Sequence, residues 1–329
     1  MQANATYRLP SGAIPSYFTP MTQPLSKIAV LLPCYNEALT IVPVIEAFRR
    51  AVPEATIYVF DNNSKDDSAA LARAAGAVVM RVPLQGKGNV VRRMFADIDA
   101  DVYLMADADL TYDASRAREL ILPILSGEVD TVIATRDGTR SSFPSGHIFG
   151  NKLFNLIVGR LFGRGLKDIF SGYRSFSRRF AKSFPAHSEG FDIETEMSIF
   201  ILEQRIPMIE IPMHYGVRPE GSVSKLKTYR DGWRILLTIL RLFKESRPLA
   251  FFALVALGFA VASLISGIPV IQEWRETGHV ESISMAILAT GLALFAAVSF
   301  VAGLMLDSVA RTYRETRHLR YLTVPYRAG

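Results

Sequence analysis

The chain has 329 residues, half of them hydrophobic and only 21% charged. Its mean hydropathy is +0.21, which excludes a disordered, collagen-like or coiled-coil chain and suits a folded α/β part joined to membrane spans. One cysteine, Cys34, excludes a disulfide framework or a cysteine-rich zinc site and suits a reducing compartment. The net charge of +6 would serve nucleic acid or an anionic membrane surface, and its placement decides between them.

Residues 1–26 carry three prolines before Gln23 and no apolar run fit for a signal peptide, so an irregular arm is expected. From residue 27 strand and helix alternate. Residues 27–32 (KIAVLL), 56–60 (TIYVF), 77–82, 102–106 (VYLMA) and 131–134 read as strands, the first a continuous apolar run suited to burial on both faces. Helical segments at 37–50, 66–75, 88–98 and 114–125 separate them. This alternation predicts an α/β fold with a mostly parallel sheet, whose ligands bind at the carboxyl ends of the strands.

Those ends carry the polar residues. Pro33-Cys34-Tyr35-Asn36-Glu37 follows the first strand and Asp61-Asn62-Asn63-Ser64-Lys65-Asp66 the second. Gln85-Gly86-Lys87-Gly88 follows the third, and the fourth ends in Asp107-Ala108-Asp109. Each has an ordinary explanation as a cap or turn. Four in succession argue for a site. Residues i and i+2 of an extended segment project to one side, so the Asp107 and Asp109 carboxylates converge, and a hard divalent cation such as Mg²⁺ or Mn²⁺ relieves their repulsion. Gly86-Lys87-Gly88 lacks the spacing of a P-loop or a dinucleotide-binding turn. A helix at 191–203 carries Asp192, Glu194 and Glu196; two of these acids could face the site, but solvated helix charges are the expected reading.

Farther along, Trp233, Ile235, Leu236, Leu237, Ile239, Leu240, Leu242 and Phe243 alternate with Arg230, Arg234, Arg241 and Lys244. That pattern predicts a basic amphipathic helix in the membrane interface, or one packed on the catalytic domain. Residues 248–271 are 24 uncharged residues and 282–306 are 25, each long enough to cross a hydrocarbon core of roughly 30 Å. The loop between them holds Glu273, Glu276 and Glu281 against Arg275. Basic residues crowd the outer flanks of both spans, so the positive-inside rule places the catalytic domain and both termini in the cytoplasm. Because those basic residues hug the membrane, a nucleic-acid partner is not expected. Gly258, Ala262 and Ser266, and likewise Ala289, Ala293 and Ala297, recur every four residues, a spacing that permits close helix packing within a chain or in a homo-oligomer. The expected organisation is an arm (1–26), a catalytic domain (27–224), a juxtamembrane helix (225–247), two transmembrane helices (248–306) and a basic tail (307–329).

The strand-end motifs, with Ser171-Gly172-Tyr173-Arg174 and Arg218-Pro219-Glu220-Gly221-Ser222-Val223-Ser224-Lys225, resemble the family 2 glycosyltransferases of GT-A fold. Within these the chain is similar to the polyprenyl-phosphate, dolichol-phosphate-mannose-synthase-like enzymes, over roughly residues 27–247 and the two spans. The resemblance implies that Pro33, Tyr35, Asn36, Glu37, Asp61 and Asn63 hold the nucleotide, with Lys87 near them. It implies that Asp107 and Asp109 hold a metal on the donor diphosphate. Arg136, Arg174, Arg218, Ser224 and Lys225 are the implied anion-binding groups for donor and lipid phosphates, and Asp168 stands near the reacting centre. Two departures are evident. Asp61-Asn62-Asn63 replaces the commoner Asp-Asp-Gly, and Thr111 stands where some relatives carry a glutamine.

A lipid monophosphate, with a second pKa of about 6, is already largely dianionic at neutral pH. It needs positioning and charge neutralisation, not a general base. Asp168 is therefore expected to position groups or to shape the field, the plainer alternative being a salt bridge to Lys167 or a neighbouring arginine. The resulting expectation is inverting transfer of one sugar, from a UDP-linked glucose-type donor, to undecaprenyl phosphate at the cytoplasmic face of a bacterial inner membrane. The alternatives are a GDP-mannose-dependent mannose synthase, a processive polysaccharide synthase or a non-catalytic scaffold.

Overall fold

The computed structural model describes residues 26–137, 145–162, 166–219 and 228–325. Seven strands form one sheet: β1 (Ile28–Cys34), β2 (Thr56–Asp61), β3 (Val78–Arg81), β4 (Val102–Met105), β5 (Thr131–Asp137), β6 (Arg174–Ser177) and β7 (Met208–His214). Their order in space is β3-β2-β1-β4-β6-β5-β7. The pairs β1–β2, β1–β4, β2–β3 and β5–β7 are parallel, and β6 runs antiparallel to both β4 and β5. The order reverses at β1, which pairs with β2 on one side and β4 on the other. This is the switch point where the carboxyl ends open a crevice.

Helices α1 (Ile41–Ala51), α2 (Ser68–Ala74), α3 (Lys87–Asp97), α4 (Ala117–Leu125), α5 (Ser145–Phe162), α6 (Arg178–Ser183) and α7 (Ile193–Gln204) accompany the sheet. Successive side chains of a strand point to opposite faces, so β1 feeds two cores. Val30 and Leu32 pack with Ile45, Phe48 and Leu120 on one side. Ala29 and Leu31 pack with Met94, Phe95, Phe176 and Phe180 on the other.

Two strands have no counterpart among the expected ones. β6 reads RSFS, with its polar side chains buried, and shows no apolar run. β7 reads MIEIPMH and tolerates Pro212 because it pairs only with β5, at the edge of the sheet.

Three long helices follow. On α8 (Thr228–Ser246), Ile235, Ile239 and Phe243 are buried, whereas Trp233, Leu237 and Leu240 are exposed. The helix thus has two apolar faces, one on the catalytic domain and one uncovered. α9 (Pro248–Thr277) opens with Pro248 in its first turn and closes on Gly278 in the left-handed region. α10 (Ile283–Thr323) runs for 41 residues. Both helices are long and apolar enough to cross a membrane, and only 6% of the most apolar window of each is buried. They pack on each other where Gly303 meets Phe252 and Leu249 and where Gly267 meets Ala289, with Ser263 Oγ donating to the Ala289 carbonyl at 2.7 Å. A Cβ on Gly258, from the four-residue repeat, would meet no atom of another element within 4 Å among the described residues, so this glycine does not serve close approach there. The stretch named as a basic tail is helical as far as Thr323 and docks on the catalytic domain. The N-terminal arm lies outside the described residues.

Candidate active site

The site is built from loops at the carboxyl ends of β1, β2, β4 and β5. The loops after β1 and β2 are stitched together: Lys65 N donates to Asn36 Oδ1 at 2.7 Å, and Asn36 N to Ser64 Oγ at 3.0 Å. Asn36 and Asn63 take the left-handed conformation, which asparagine tolerates better than most residues. Asn63 Nδ2 and Asn62 Nδ2 donate to the Pro83 and Leu84 carbonyls at 2.6 and 2.7 Å, and Asn62 Oδ1 accepts from Gly86 N at 2.7 Å. Asp61 Oδ1 accepts from Ser64 N at 3.2 Å. Pro33 and Tyr35 are half-buried, while Glu37 is buried beside Thr40, whose hydroxyl donates to the Ala108 carbonyl at 2.7 Å. This bond ties the Asp-Ala-Asp segment to the start of α1. Burial pushes the Cys34 thiol up to about 12, so it is inert at neutral pH.

The glycines of Gly86-Lys87-Gly88 serve close backbone approach. A Cβ on Gly88 would lie 2.0 Å from the Ser188 carbonyl oxygen, and one on Gly86 would lie 2.2 Å from that of Glu189. Gly88 N donates to Glu189 O at 3.0 Å. So clamped, the turn sends Lys87 inward. Its Nζ sits 2.5 Å from both Asp107 Oδ1 and Glu194 Oε1. Burial opposes the ammonium charge, but the two carboxylates outweigh it and hold Lys87 protonated above its ordinary range.

Asp109 is buried. Thr111 Oγ1 donates to its Oδ1 at 2.5 Å, and Arg218 Nη2 lies 2.5 Å from its Oδ2. Burial and the neighbouring Asp107 charge push Asp109 above the usual carboxylate range in spite of Arg218. Asp107 packs against Gly172, where a Cβ would come within 2.6 Å of its Oδ2; the small residue of the Ser-Gly-Tyr-Arg segment makes room for that carboxylate. Arg218 arrives on a segment pinned beside Thr111, by a bridge between Tyr112 and Tyr215 and by Gly216 N donating to Thr111 O at 2.8 Å. The Tyr112 hydroxyl also accepts from Gly172 N at 2.9 Å.

Arg136 and Asp168 form a bidentate pair, with Nε to Oδ2 at 2.6 Å and Nη2 to Oδ1 at 2.8 Å. Burial alone would raise Asp168, but the Arg136 bonds hold it below the usual carboxylate range. The plainer expectation for Asp168, a salt bridge to a neighbouring arginine, is what the structure shows.

The structure thus brings Lys87, Asp107, Asp109, Arg136, Asp168 and Arg218 to one end of the sheet. Arg174 is a correction. It is fully buried, with Nε and Nη2 donating to the carbonyls of Ser171 and Ile169 at 2.7 and 2.8 Å. It braces the loop that carries Asp168, and its Nη1 is buried with no hydrogen-bond partner among the described residues. Ser224 and Lys225 lie outside the described residues. The acids of α7 are a second correction: Asp192, Glu194 and Glu196 are 6%, 4% and 4% exposed, not solvated. Glu194 is a site residue that sequence reasoning left among the solvated helix charges, with a place at the site as the lesser alternative. The available signal was that the apolar residues of α7 do not gather on one face but are spread around the helix, which marks a buried helix whose acids must find partners.

Among the described residues no three or more His, Cys, Asp or Glu side chains form a ready-made metal cage, but an excess of carboxylate and an orphaned acid oxygen suit a divalent cation whose remaining ligands come from substrate phosphates. Around Lys87, Arg136 and Arg218 stand four carboxylates against three cations. Glu194 Oε2 is buried without a hydrogen-bond partner among the described residues, and the Asp107 side chain stays 28% exposed.

A model of glycosyl transferase family 2 matches residues 29–184. Glycosyltransferase AglJ of Haloferax volcanii is 34% identical over 88% of this chain and 95% of its own length. Dolichol-phosphate mannosyltransferase of Pyrococcus furiosus is 26% identical over 80% of this chain and 78% of its own. Among solved structures, glucosyl-3-phosphoglycerate synthase of Mycobacterium tuberculosis, in complex with Mn²⁺, UDP-glucose and phosphoglyceric acid, superposes with a TM-score of 0.55. It is 25% identical, covering 66% of this chain and 80% of that one.

Proposed function

The chain belongs to glycosyl transferase family 2 and is a glycosyltransferase of GT-A fold, and from that premise we propose that it moves a single sugar from a UDP-linked, glucose-type donor to a polyprenyl phosphate, undecaprenyl phosphate, at a membrane surface. The observation that carries this reading is the pairing of the acids. Asp107, Asp109, Glu194 and Asp168 each face a cation within 2.6 Å, so none of the four is left as a free general base. An alcohol acceptor would need one; a phosphate acceptor does not. The polyprenyl phosphate class also agrees with the Pyrococcus furiosus relative, and the UDP-linked donor with the Mycobacterium tuberculosis structure.

Asp107 and Asp109 would hold Mg²⁺ or Mn²⁺, which when bound neutralises charge on the donor diphosphate. The loops carrying Pro33, Tyr35, Asn36, Glu37, Asp61 and Asn63 form the nucleotide cup. Arg218 turns one nitrogen to Asp109 while its other, Nη1, is buried without a partner among the described residues and is available to an incoming phosphate. Arg136 keeps its positive charge beside that position while committed to Asp168. Ser224 and Lys225 extend the acceptor side. These groups hold two anions close together and in line, the arrangement that lowers the barrier for attack by phosphate oxygen on the anomeric carbon. The uncovered Trp233, Leu237 and Leu240 face of α8 rests in the interface, α9 and α10 cross the bilayer, and the catalytic domain and both termini are cytoplasmic.

A donor screen tests this. Purified protein with undecaprenyl phosphate is offered UDP-, GDP- and dTDP-sugars, and the glycolipid is followed by mass spectrometry. The expected product is one hexose on an intact monophosphate, from the UDP donor, lost with EDTA and restored by Mn²⁺. A sugar linked through a diphosphate, or a polymer, would overturn the reading.

A further inference from the structure

The cytoplasmic end of α10 does not trail away from the membrane. One face of it carries Ala310, which is buried, then Arg314, Arg317 and Tyr321, a spacing of four, three and four residues, with Arg314 reaching α8 and the last two reaching the catalytic domain. Arg314 donates to the Ser246 carbonyl at the end of α8. Arg317 lies 3.9 Å from Glu203 on α7, a side chain only 8% exposed. Tyr321 is 4% exposed, and its hydroxyl donates to Asp130 at the start of β5. Arg179 lies over the Tyr321 ring at 5.3 Å and donates to the Val324 carbonyl at 3.1 Å.

Asp130 sits at the amino end of β5, and Arg136 lies at the other end of the same strand. The second attachment is beside the site: Thr238 and Arg234 of α8 reach Asp192 at 3.1 and 3.6 Å, next to the 188–190 segment that clamps Lys87. The catalytic domain is therefore gripped at opposite ends of its sheet by helices continuous with, or docked beside, the two apolar spans. We propose that Tyr321 and Arg317, through Asp130 and Glu203, are positioning residues that fix the pose of the catalytic domain over the bilayer, so that a membrane-embedded acceptor meets Arg218 at the right depth. This rests on the polyprenyl phosphate reading above. The reasoning is entropic. A lipid acceptor is confined to one plane and its phosphate to one depth, so a rocking domain spends most of its time out of register with it. A soluble acceptor reaches the site whatever the pose.

The full-length protein in nanodiscs is compared with Tyr321→Phe and Arg317→Ala, singly and together, using undecaprenyl phosphate in the bilayer and geranyl phosphate in solution. The expected result for the double variant is a KM for the bilayer acceptor raised about tenfold, with kcat, nucleotide binding and the geranyl phosphate reaction unchanged. Equal loss with both acceptors, or no loss with either, overturns the proposal. A distance measurement from a fluorophore on Leu122→Cys, an exposed position, to dyes at the bilayer surface reads the pose directly. The double variant should broaden that distribution, and an unchanged one counts against the mount. If the wild-type protein glycosylates neither phosphate, the functional reading fails while the distance measurement still decides the mount.

Discussion

Replacing Arg136 with methionine is expected to destabilise the catalytic domain by about 3–5 kcal/mol, because it strands a buried carboxylate. Asp168 is 3% exposed and receives both arms of the guanidinium. The double variant Arg136→Met/Asp168→Leu should recover most of the loss, since two apolar side chains leave no charge to solvate. The pH dependence separates this from a simple packing defect. In the wild-type protein Asp168 titrates below its ordinary value, so its contribution is present above about 3.9 and is lost as pH falls through the folded-state value. Without Arg136 burial dominates and the folded-state value rises above about 3.9. The variant then loses stability as pH climbs through that range. The gap between the two proteins should be widest at neutral pH and narrow toward acid. Thermal unfolding at pH 7 and pH 4.5 measures it; a single variant within about 1 kcal/mol of wild type at pH 7 would mean that the pair is not holding the fold.

Gly88→Ala should be comparably damaging, although alanine in a helix ordinarily gains about 1 kcal/mol over glycine. The new methyl would stand 2.0 Å from the Ser188 carbonyl oxygen and 2.6 Å from its carbon, main-chain atoms that cannot swing aside. Either α3 or the 187–192 segment must shift, breaking the bond from Gly88 N to Glu189 O and moving Lys87 off Asp107 and Glu194. A loss of roughly 2–4 kcal/mol and a large fall in donor binding are expected. Gly258→Ala, with no atom within 4 Å, is the matched control and should be neutral or mildly stabilising. Hydrogen exchange across 186–192, unchanged in Gly88→Ala, would refute the clamp.

The loops after β1, β2 and β4 were legible because each follows a short apolar strand, and a run such as KIAVLL marks its own end. The rest of the candidate site was less so. β6 hides its polar residues inside the sheet, bonding Ser175 and Ser177 to neighbouring oxygens, and so has no hydrophobic signature. Arg174, at its start, shows why residue type alone misleads. An arginine after Ser-Gly-Tyr reads as an anion-binding group, but whether it faces a crevice or a carbonyl cage depends on which strands flank β6. Glu194 was read as solvated because its neighbours at i+2 and i−2 are also acidic; its burial follows from the packing of α7 against α3, α5 and α8. The end of α10 did carry a sign, the stripe from Ala310 to Tyr321, but its arginines pass for positive-inside flanking charge.

The uninterrupted length of α10 has a mechanical consequence. At 1.5 Å per residue its 41 residues reach about 61 Å, roughly twice the hydrocarbon thickness, with the far end bolted to the sheet. Stretching or thinning the bilayer changes the tilt of such a helix, and a rod that cannot flex at the membrane surface carries that tilt into the catalytic domain. The enzyme would then be tuned to the acyl-chain length of its host membrane. Turnover of the lipid acceptor should peak in one bilayer thickness and decline on either side, while turnover of a soluble acceptor stays level across the series.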